Sequence, residues 1–96
     1  MALEIMNVGA GNFVAVARVV SVVRADSSPV RRMIEAATKA GRLVDATGGR
    51  RTRSVIVTDS NHVVLSNLNP QTLGDRLSGP VPPGGRVEEN EADVAV

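Results

Sequence analysis

The chain has 96 residues and a formal net charge of +1, and its hydrophobic residues (43%) include one Phe but no Tyr, Trp or Cys. The length predicts a single domain, and the lack of cysteine excludes disulfides and thiolate metal sites. No apolar run reaches the ~18 residues that a membrane-spanning helix needs, and no basic-then-apolar secretory signal is present, so we expect no membrane association and a cytoplasmic location.

The small aliphatic core predicts self-association. A domain of this size buries only a modest share of its surface, and the large buried areas that aromatic side chains supply are missing here. With no disulfide or thiolate metal site to stabilise the fold, contacts between copies are the extra source of burial that we expect. We therefore predict a homo-oligomer.

The first quarter of the chain predicts strands. Leu3–Val8 has a strand pattern, Gly9–Asn12 ("GAGN") follows as a turn, and Phe13–Arg24 is rich in β-branched residues, which favours one or two further strands. The turn resembles a fragment of a nucleotide-binding glycine loop, but it lacks the third glycine and the strand–loop–helix setting of that motif. We interpret it as a tight turn.

The segment Ser27–Gly41 predicts the main helix, at about residues 28–40. Ser28 suits the N-cap and Pro29 the first helical position. Gly41 suits the left-handed conformation that ends many helices. Apolar residues recur at the i, i+3, i+4 and i+7 spacing of one helix face: Val30, Met33, Ile34 and Ala37.

The second half predicts more strands and a short helix. We expect an antiparallel meander of three strands, Arg42–Ala46, Arg53–Asp59 and His62–Ser66, with Gly48-Gly49 as the hairpin turn between the first two. A short C-terminal helix is predicted at about residues 70–77, capped by Asn69. Together these elements predict an α+β fold, a small single domain over residues 1–78 with an antiparallel sheet, one main helix and a short second one.

Residues 79–96 differ in composition from the rest. They are rich in Pro and Gly, show no periodicity, and hold four of the ten acidic residues, at Glu88, Glu89, Glu91 and Asp93. This composition predicts a disordered acidic tail. The acids either keep the tail solvated or cover a basic surface transiently and weaken nucleic-acid binding.

Positive charge is concentrated in the middle of the chain, where residues 18–53 hold nine basic and three acidic residues. Such asymmetry indicates a polyanionic partner. The densest group is Arg50, Arg51 and Arg53, directly after two glycines, and the planar fork of an arginine matches phosphate oxygens bidentately. The alternative is a solvated loop that keeps the protein soluble.

Further arginines stand at the ends of other predicted elements. Arg31 and Arg32 lie near the start of the main helix, where the helix dipole favours acids, so an incoming phosphate would turn a conflict into attraction. The alternative is that both side chains extend away towards Glu35. Arg18 and Arg24 flank the valine-rich strand and favour strand-end solvation, although Arg18 could belong to a binding surface.

Catalytic and metal sites are not indicated. His62 is the only histidine and stands close to Asp59 and Ser60, but catalytic triads draw their groups from separate segments. The remaining acids lack metal-ligand spacing. We expect no enzymatic activity, no cofactor and no small-molecule substrate.

Four motifs carry a family resemblance that extends from about Glu4 to Leu77: "NVGAGN", "SSPVRR", "GRLVDATGGRRTR" and "DSNHVVLS". The chain resembles the RemA family of bacterial DNA-binding regulators, named for control of extracellular (biofilm) matrix genes. The resemblance implies small α+β proteins without enzymatic activity, which form ring-like oligomers, display arginines to double-stranded DNA and activate transcription in the cytoplasm, associated with the nucleoid. The DNA-contacting role then falls on Arg50 and Arg51 with Arg53 beside them, and less firmly on Arg18 and Arg32.

Two hypotheses of different classes follow. The first is an oligomeric, non-enzymatic transcription regulator that grips the phosphates of duplex DNA; the absence of Tyr and Trp argues against binding of single strands or RNA by base stacking. The second is a structural or scaffolding homo-oligomer that binds an acidic protein or a small anion. The salt dependence of binding to duplex DNA separates the two.

Overall fold

The computed structural model describes residues 4–78, and the predicted acidic tail lies outside them. Six strands, two α-helices and one 3-10 turn make up this part of the chain. In order they are β1 (Ile5–Gly9), β2 (Asn12–Ala15), a 3-10 turn (Val16–Arg18), β3 (Val19–Arg24), α1 (Ser28–Lys39), β4 (Leu43–Asp45), β5 (Ser54–Thr58), β6 (Val63–Ser66) and α2 (Pro70–Ser78). The predicted α+β class, the main helix and the short second helix are confirmed.

The strands form two sheets. β1 and β2 pair antiparallel as a separate hairpin, and the other four form a sheet in the order β3-β5-β6-β4. β5 runs antiparallel to both of its neighbours, whereas the edge strand β4 runs parallel to β6. This arrangement places the end of β3 beside the start of β5.

The predicted hairpin between β4 and β5 is wrong, and with it the simple meander. β4 pairs with β6, so the chain from Ala46 to Arg53 crosses past β6 to reach β5. Gly48 and Gly49 do have the positive φ of turn glycines, +64° and +83°, but they form a local turn within this longer connection. β6 is buried along its whole length and lies between β4 and β5. Because β3 and β6 occupy both edges of β5, β4 cannot pair with β5 directly.

The four-stranded sheet is covered on both faces. Helix α1 packs on one face against a cluster that includes Val55, Val63 and Leu65. The β1–β2 hairpin and α2 pack on the other face, around Met6, Val8, Ala46, Ile56, Val64 and Leu73. Successive residues of β5 and β6 therefore supply opposite cores, as the two-residue period of a strand requires.

Local capping fixes both helix starts. Ser27, not Ser28, is the N-cap of α1: its backbone is extended (φ −101°, ψ 153°) and its Oγ accepts a hydrogen bond from Val30 N–H at 3.3 Å. Pro29 consequently lies one position further into the helix than predicted. Gly41 has φ +74° directly after the helix, as predicted, and Asn69 caps α2, because its Oδ1 accepts from Thr72 N–H at 2.8 Å.

Candidate nucleic-acid interface

The segment from Arg51 to Arg53 is held at one end of the four-stranded sheet. Arg53 N–H donates to the carbonyl of Ser66 at 2.9 Å, and the carbonyl of Arg53 accepts from Ala25 N–H at 3.2 Å. The backbone of Arg53 therefore bridges the chain after β3 and the end of β6, while the side chains of Arg51 and Arg53 are exposed. Two arginines are thus presented to solvent from a hydrogen-bonded backbone.

The loop that carries Arg50 is anchored at its base. The carboxylate Oδ1 of Asp45 accepts hydrogen bonds from the buried Thr47, at 2.9 Å from N–H and 2.6 Å from the hydroxyl. These two hydrogen bonds hold the pKa of Asp45 below its usual range, and the bond from the hydroxyl has the larger effect. Gly48 packs so closely on Ala10 that a Cβ there would lie 2.7 Å from the Ala10 Cβ. Arg50 follows this fixed turn and is exposed, and its N–H closes the turn onto Thr47 O at 3.2 Å.

A cleft of 160 Å³ opens between this segment and the start of α2. Its lining includes Arg24 from the end of β3, Arg51 and Arg53 from the loop, and Asn69 and Pro70 from the helix start. The β3–β5 register explains this gathering, since Arg24 pairs with Ser54, the residue after Arg53. Three arginine residues therefore line one opening.

Asp26 is the acidic residue of this cleft. Arg24 Nη2 lies 2.8 Å from Asp26 Oδ2, and both side chains are more than half exposed. The hydrogen bond from Arg24 is the main cause that lowers the pKa of Asp26, and the charge of Arg31 on α1 lowers it further. Arg31 therefore belongs to the same neighbourhood. We name Arg24, Arg31, Arg51 and Arg53 the arginine end of the sheet.

The predicted site residues divide between two places. Arg50, Arg51 and Arg53 lie on one connection, and Arg31 lies close to its neighbour Asp26. Arg32 is exposed on α1, and within residues 4–78 neither it nor Arg31 forms the predicted alternative pair with Glu35, because the ion pairs there are Arg18–Asp59 and Arg24–Asp26. Arg18 does not join the arginine end. It contacts Asp59 at 3.1 Å, beyond the far end of β5, a strand length of about 15 Å away.

The far end of the sheet holds a self-contained polar network. Ser60 Oγ lies 2.8 Å from His62 Nδ1 and 2.9 Å from Thr58 Oγ1, within the turn between β5 and β6. Arg42 donates to the carbonyl of Asn61 at 2.5 Å. Asp59 faces Arg18 and takes no part in the contact between Ser60 and His62. We name Arg18, Arg42, Asp59 and His62 the turn end of the sheet.

Neither a metal centre nor a membrane span occurs in residues 4–78. No three carboxylate or imidazole groups in this range come together as ligands would. Neither of its two helices has the length and apolar character needed to cross a bilayer.

Sequence reasoning placed Arg24 among the strand-end residues and missed its contribution to the cleft. The signal that could have found it is the pairing of β3 with β5, which sets Arg24 beside the start of β5. Asn69 was predicted as a helix cap, but its position at the cleft depends on where α2 packs. Both contributions arise from tertiary structure.

The chain is similar to several bacterial proteins that carry the name "Putative regulatory protein". One from Geobacillus thermodenitrificans is 51% identical over 79 residues, which cover 82% of this chain and 91% of the relative. Another from Oleidesulfovibrio alaskensis is 60% identical over 74 residues, 77% of this chain and 88% of the relative. The family model described as "RemA-like: Extracellular matrix regulatory protein A-like" matches residues 5–77. This match spans every strand and nearly all of α2, so the chain belongs to the RemA-like family of regulatory proteins.

Proposed function

We propose that the protein is a non-enzymatic, oligomeric transcription regulator that binds the phosphates of duplex DNA through its arginine end, together with Arg50 and Arg32. One observation carries this proposal: four arginines from three segments lie at one end of the sheet, where Asp26 is the one acidic residue in the cleft lining and pairs with Arg24. A surface whose positive charges are balanced by so few carboxylates of the protein itself favours an anionic partner. Arginine forks recognise phosphate oxygens with paired hydrogen bonds.

A single protomer offers only a few phosphate contacts, so we expect one copy to bind weakly. Repetition of the arginine end around a homo-oligomer, in a ring as the family resemblance implies, raises avidity without any new type of contact. Activation of genes of the biofilm-matrix type is the role that the resemblance implies. The name of the relatives supports regulation in general.

Exposed apolar residues support the oligomer. Ile5 and Phe13 are 57% and 54% exposed, and the β1–β2 register, in which Phe13 pairs with Asn7, places both on the outward face of the hairpin. Burial of such side chains between copies would supply the hydrophobic area that the small core lacks.

Contacts to phosphates position a protein on DNA but do not read bases. The arginines of the proposed interface lie on a loop, a strand end and the first turns of a helix. We therefore expect sequence preference to arise from DNA shape and bending, and from the spacing of sites around the assembly.

The direct test compares Arg50→Ala and Arg51→Ala with the wild type in a gel-retardation assay on duplex DNA, with assembly size measured by light scattering. We expect both variants to lose retention while the assembly keeps its size. Lys39→Ala, which removes a cation from the opposite end of α1, is the matched control and should bind like the wild type. Loss of the assembly in the two arginine variants would contradict the assignment.

A scaffolding oligomer that binds an acidic protein or a small anion is the second candidate. The 160 Å³ volume of the cleft favours it, because this space suits a compact anionic group. Binding to duplex DNA that weakens steeply with salt, with a slope of about −0.9 per phosphate neutralised, supports the first function. Failure to bind duplex DNA at low salt supports the second.

A further inference from the structure

The Arg24–Asp26 pair separates two hollows at the arginine end. On one side lies the 160 Å³ cleft with Arg51, Arg53 and Asn69, and on the other a wider depression of 630 Å³ lined by Val23, Ser27 and Val30. Both residues of the pair border both spaces. Arg24 therefore has room to change its orientation without disturbing the buried core.

The carboxylate of Asp26 binds Arg24 in the way that the phosphate of a ligand would. Its Oδ2 accepts from Arg24 at 2.8 Å, and a carboxylate offers arginine the same pair of acceptor oxygens that a phosphate does. The pair is exposed, with 74% and 58% of the two side chains accessible. Exposed ion pairs contribute little and are readily exchanged.

The opposite wall of the cleft adds a further donor. The side-chain oxygen of Asn69 accepts from Thr72 N–H at 2.8 Å, so its NH₂ group, which has no hydrogen-bond partner among the described residues, is the side-chain group left to donate. The residues that line the cleft include three arginines and one aspartate. Cationic residues therefore outnumber anionic ones around it.

We propose that one phosphate of a bound duplex lies in this cleft, where Arg51 and Arg53 hold it. Arg24 then exchanges its hydrogen bond to Asp26 for one to this phosphate. Asp26 then acts as an internal competitor that limits affinity, and Arg24 is a positioning residue shared between the two anions. This inference rests on the proposed function, because it identifies where a DNA phosphate lies on the arginine end.

The test is the affinity for a fluorescently labelled duplex, measured by anisotropy at fixed salt, for Asp26→Asn and for its matched control Asp59→Asn. Each substitution removes one carboxylate from an exposed arginine pair, at opposite ends of the sheet. We expect Asp26→Asn to bind about two- to fivefold tighter, the range that a surface ion pair spans, and Asp59→Asn to bind as the wild type does. Thermal unfolding verifies that both variants are folded.

A double-mutant cycle with Arg24→Gln completes the test. Arg24→Gln should weaken binding and lower the salt slope by about 0.9 for each protomer on the duplex, and the gain from Asp26→Asn should disappear in its presence. Equal effects of Asp26→Asn and Asp59→Asn, or wild-type binding by Arg24→Gln, would overturn this inference and leave the proposed function standing. A wild type that binds no duplex at low salt would overturn both.

Inorganic phosphate, titrated alone by calorimetry, distinguishes a DNA phosphate from a free anion. We expect its binding to the wild type to be far weaker than that of the duplex, because a lone phosphate gains nothing from repeated contacts. Tight binding of inorganic phosphate that Arg24→Gln abolishes, without any effect of Asp26→Asn on DNA affinity, would make the cleft a small-anion site and refute its assignment to duplex DNA.

Discussion

The two ends of the four-stranded sheet both carry arginines, but they neutralise them differently. At the turn end, Arg18 contacts the carboxylate of Asp59 at 3.1 Å and Arg42 donates to a backbone carbonyl at 2.5 Å. At the arginine end, Asp26 pairs with Arg24, whereas Arg31, Arg51 and Arg53 form no ion pair among residues 4–78. We expect the arginines without an ion-pair partner to distinguish the candidate binding surface from the turn end.

The helices strengthen this difference. Ser27 at the start of α1 borders the wider depression, and Asn69 and Pro70 at the start of α2 border the cleft. The N-terminus of a helix carries partial positive charge, which adds to that of nearby cations. Because both helices begin at the arginine end, backbone and side-chain charge reinforce each other there.

The largest difference between the two ends should appear when a single arginine is removed from one end or from the other. We expect Arg53→Ala to weaken binding to duplex DNA about tenfold, the effect of losing one charged hydrogen-bond donor. Arg18→Ala should weaken it less than about threefold, because Arg18 lies about one strand length, roughly 15 Å, from the arginine end. Anisotropy titrations of both variants provide the measurement. Equal losses would place Arg18 in the interface, as the family resemblance implies for that residue.

A smaller effect on stability should follow from Asp45→Asn, which tests how the loop of the arginine end is anchored. The pKa of Asp45 is lowered in the folded protein by its bonds to Thr47, so its charged form stabilises the fold above the unfolded-state pKa of about 3.9. That contribution is lost as the pH falls through the lower folded-state pKa.

Asp45 is exposed, so solvent screening reduces the effect. We expect Asp45→Asn to lower the midpoint of thermal unfolding by about 2–4 °C at pH 7, and the difference from the wild type to vanish well below pH 4. Melting curves across this pH range provide the measurement, with Glu35→Gln on α1 as the control. A difference that persists unchanged in acid would show that the charge of Asp45 does not anchor the loop.

The smallest effect should come from deleting residues 79–96. If their four acids compete with DNA for the arginine end, the shortened protein should bind duplex equally or up to about threefold more tightly, with its melting transition unchanged. Exchange of the same four acids for Gln and Asn in the full-length chain is the matched control. Markedly weaker binding by the shortened protein would refute competition by the tail.

Local sequence signals predicted the helices and failed at one strand connection. The apolar stripe of α1, Gly41 after it and Asn69 before α2 depend on neighbours within a few residues, and the structure confirms all three. The predicted β4–β5 hairpin depended on a glycine pair that also suits a turn in a longer connection. Strand pairing is decided by contacts between residues distant in sequence, and the strand that pairs with β4 is β6, where β5 was predicted.

The residues of the candidate site likewise divide into those that local sequence predicts and those that depend on contacts distant in sequence. Arg51 and Arg53 could be predicted, because their density beside two glycines is visible in the sequence. Arg24 and Asp26 could not, because their proximity to Arg53 results from the antiparallel register of β3 and β5 and from the N–H of Ala25 that meets the carbonyl of Arg53. The separation of Arg18 from these residues results from the same register.

The absence of cysteine from the chain allows a direct measurement of which end meets DNA. Ser28→Cys places one thiol at the start of α1 beside the arginine end, and Ser60→Cys places one at the turn end; both positions are exposed. The rate at which a bulky thiol reagent modifies each variant is measured with and without saturating duplex. We expect DNA to slow modification at residue 28 at least several-fold and to leave residue 60 unchanged, whereas protection of residue 60 alone, or of neither residue while DNA is bound, would contradict binding through the arginine end.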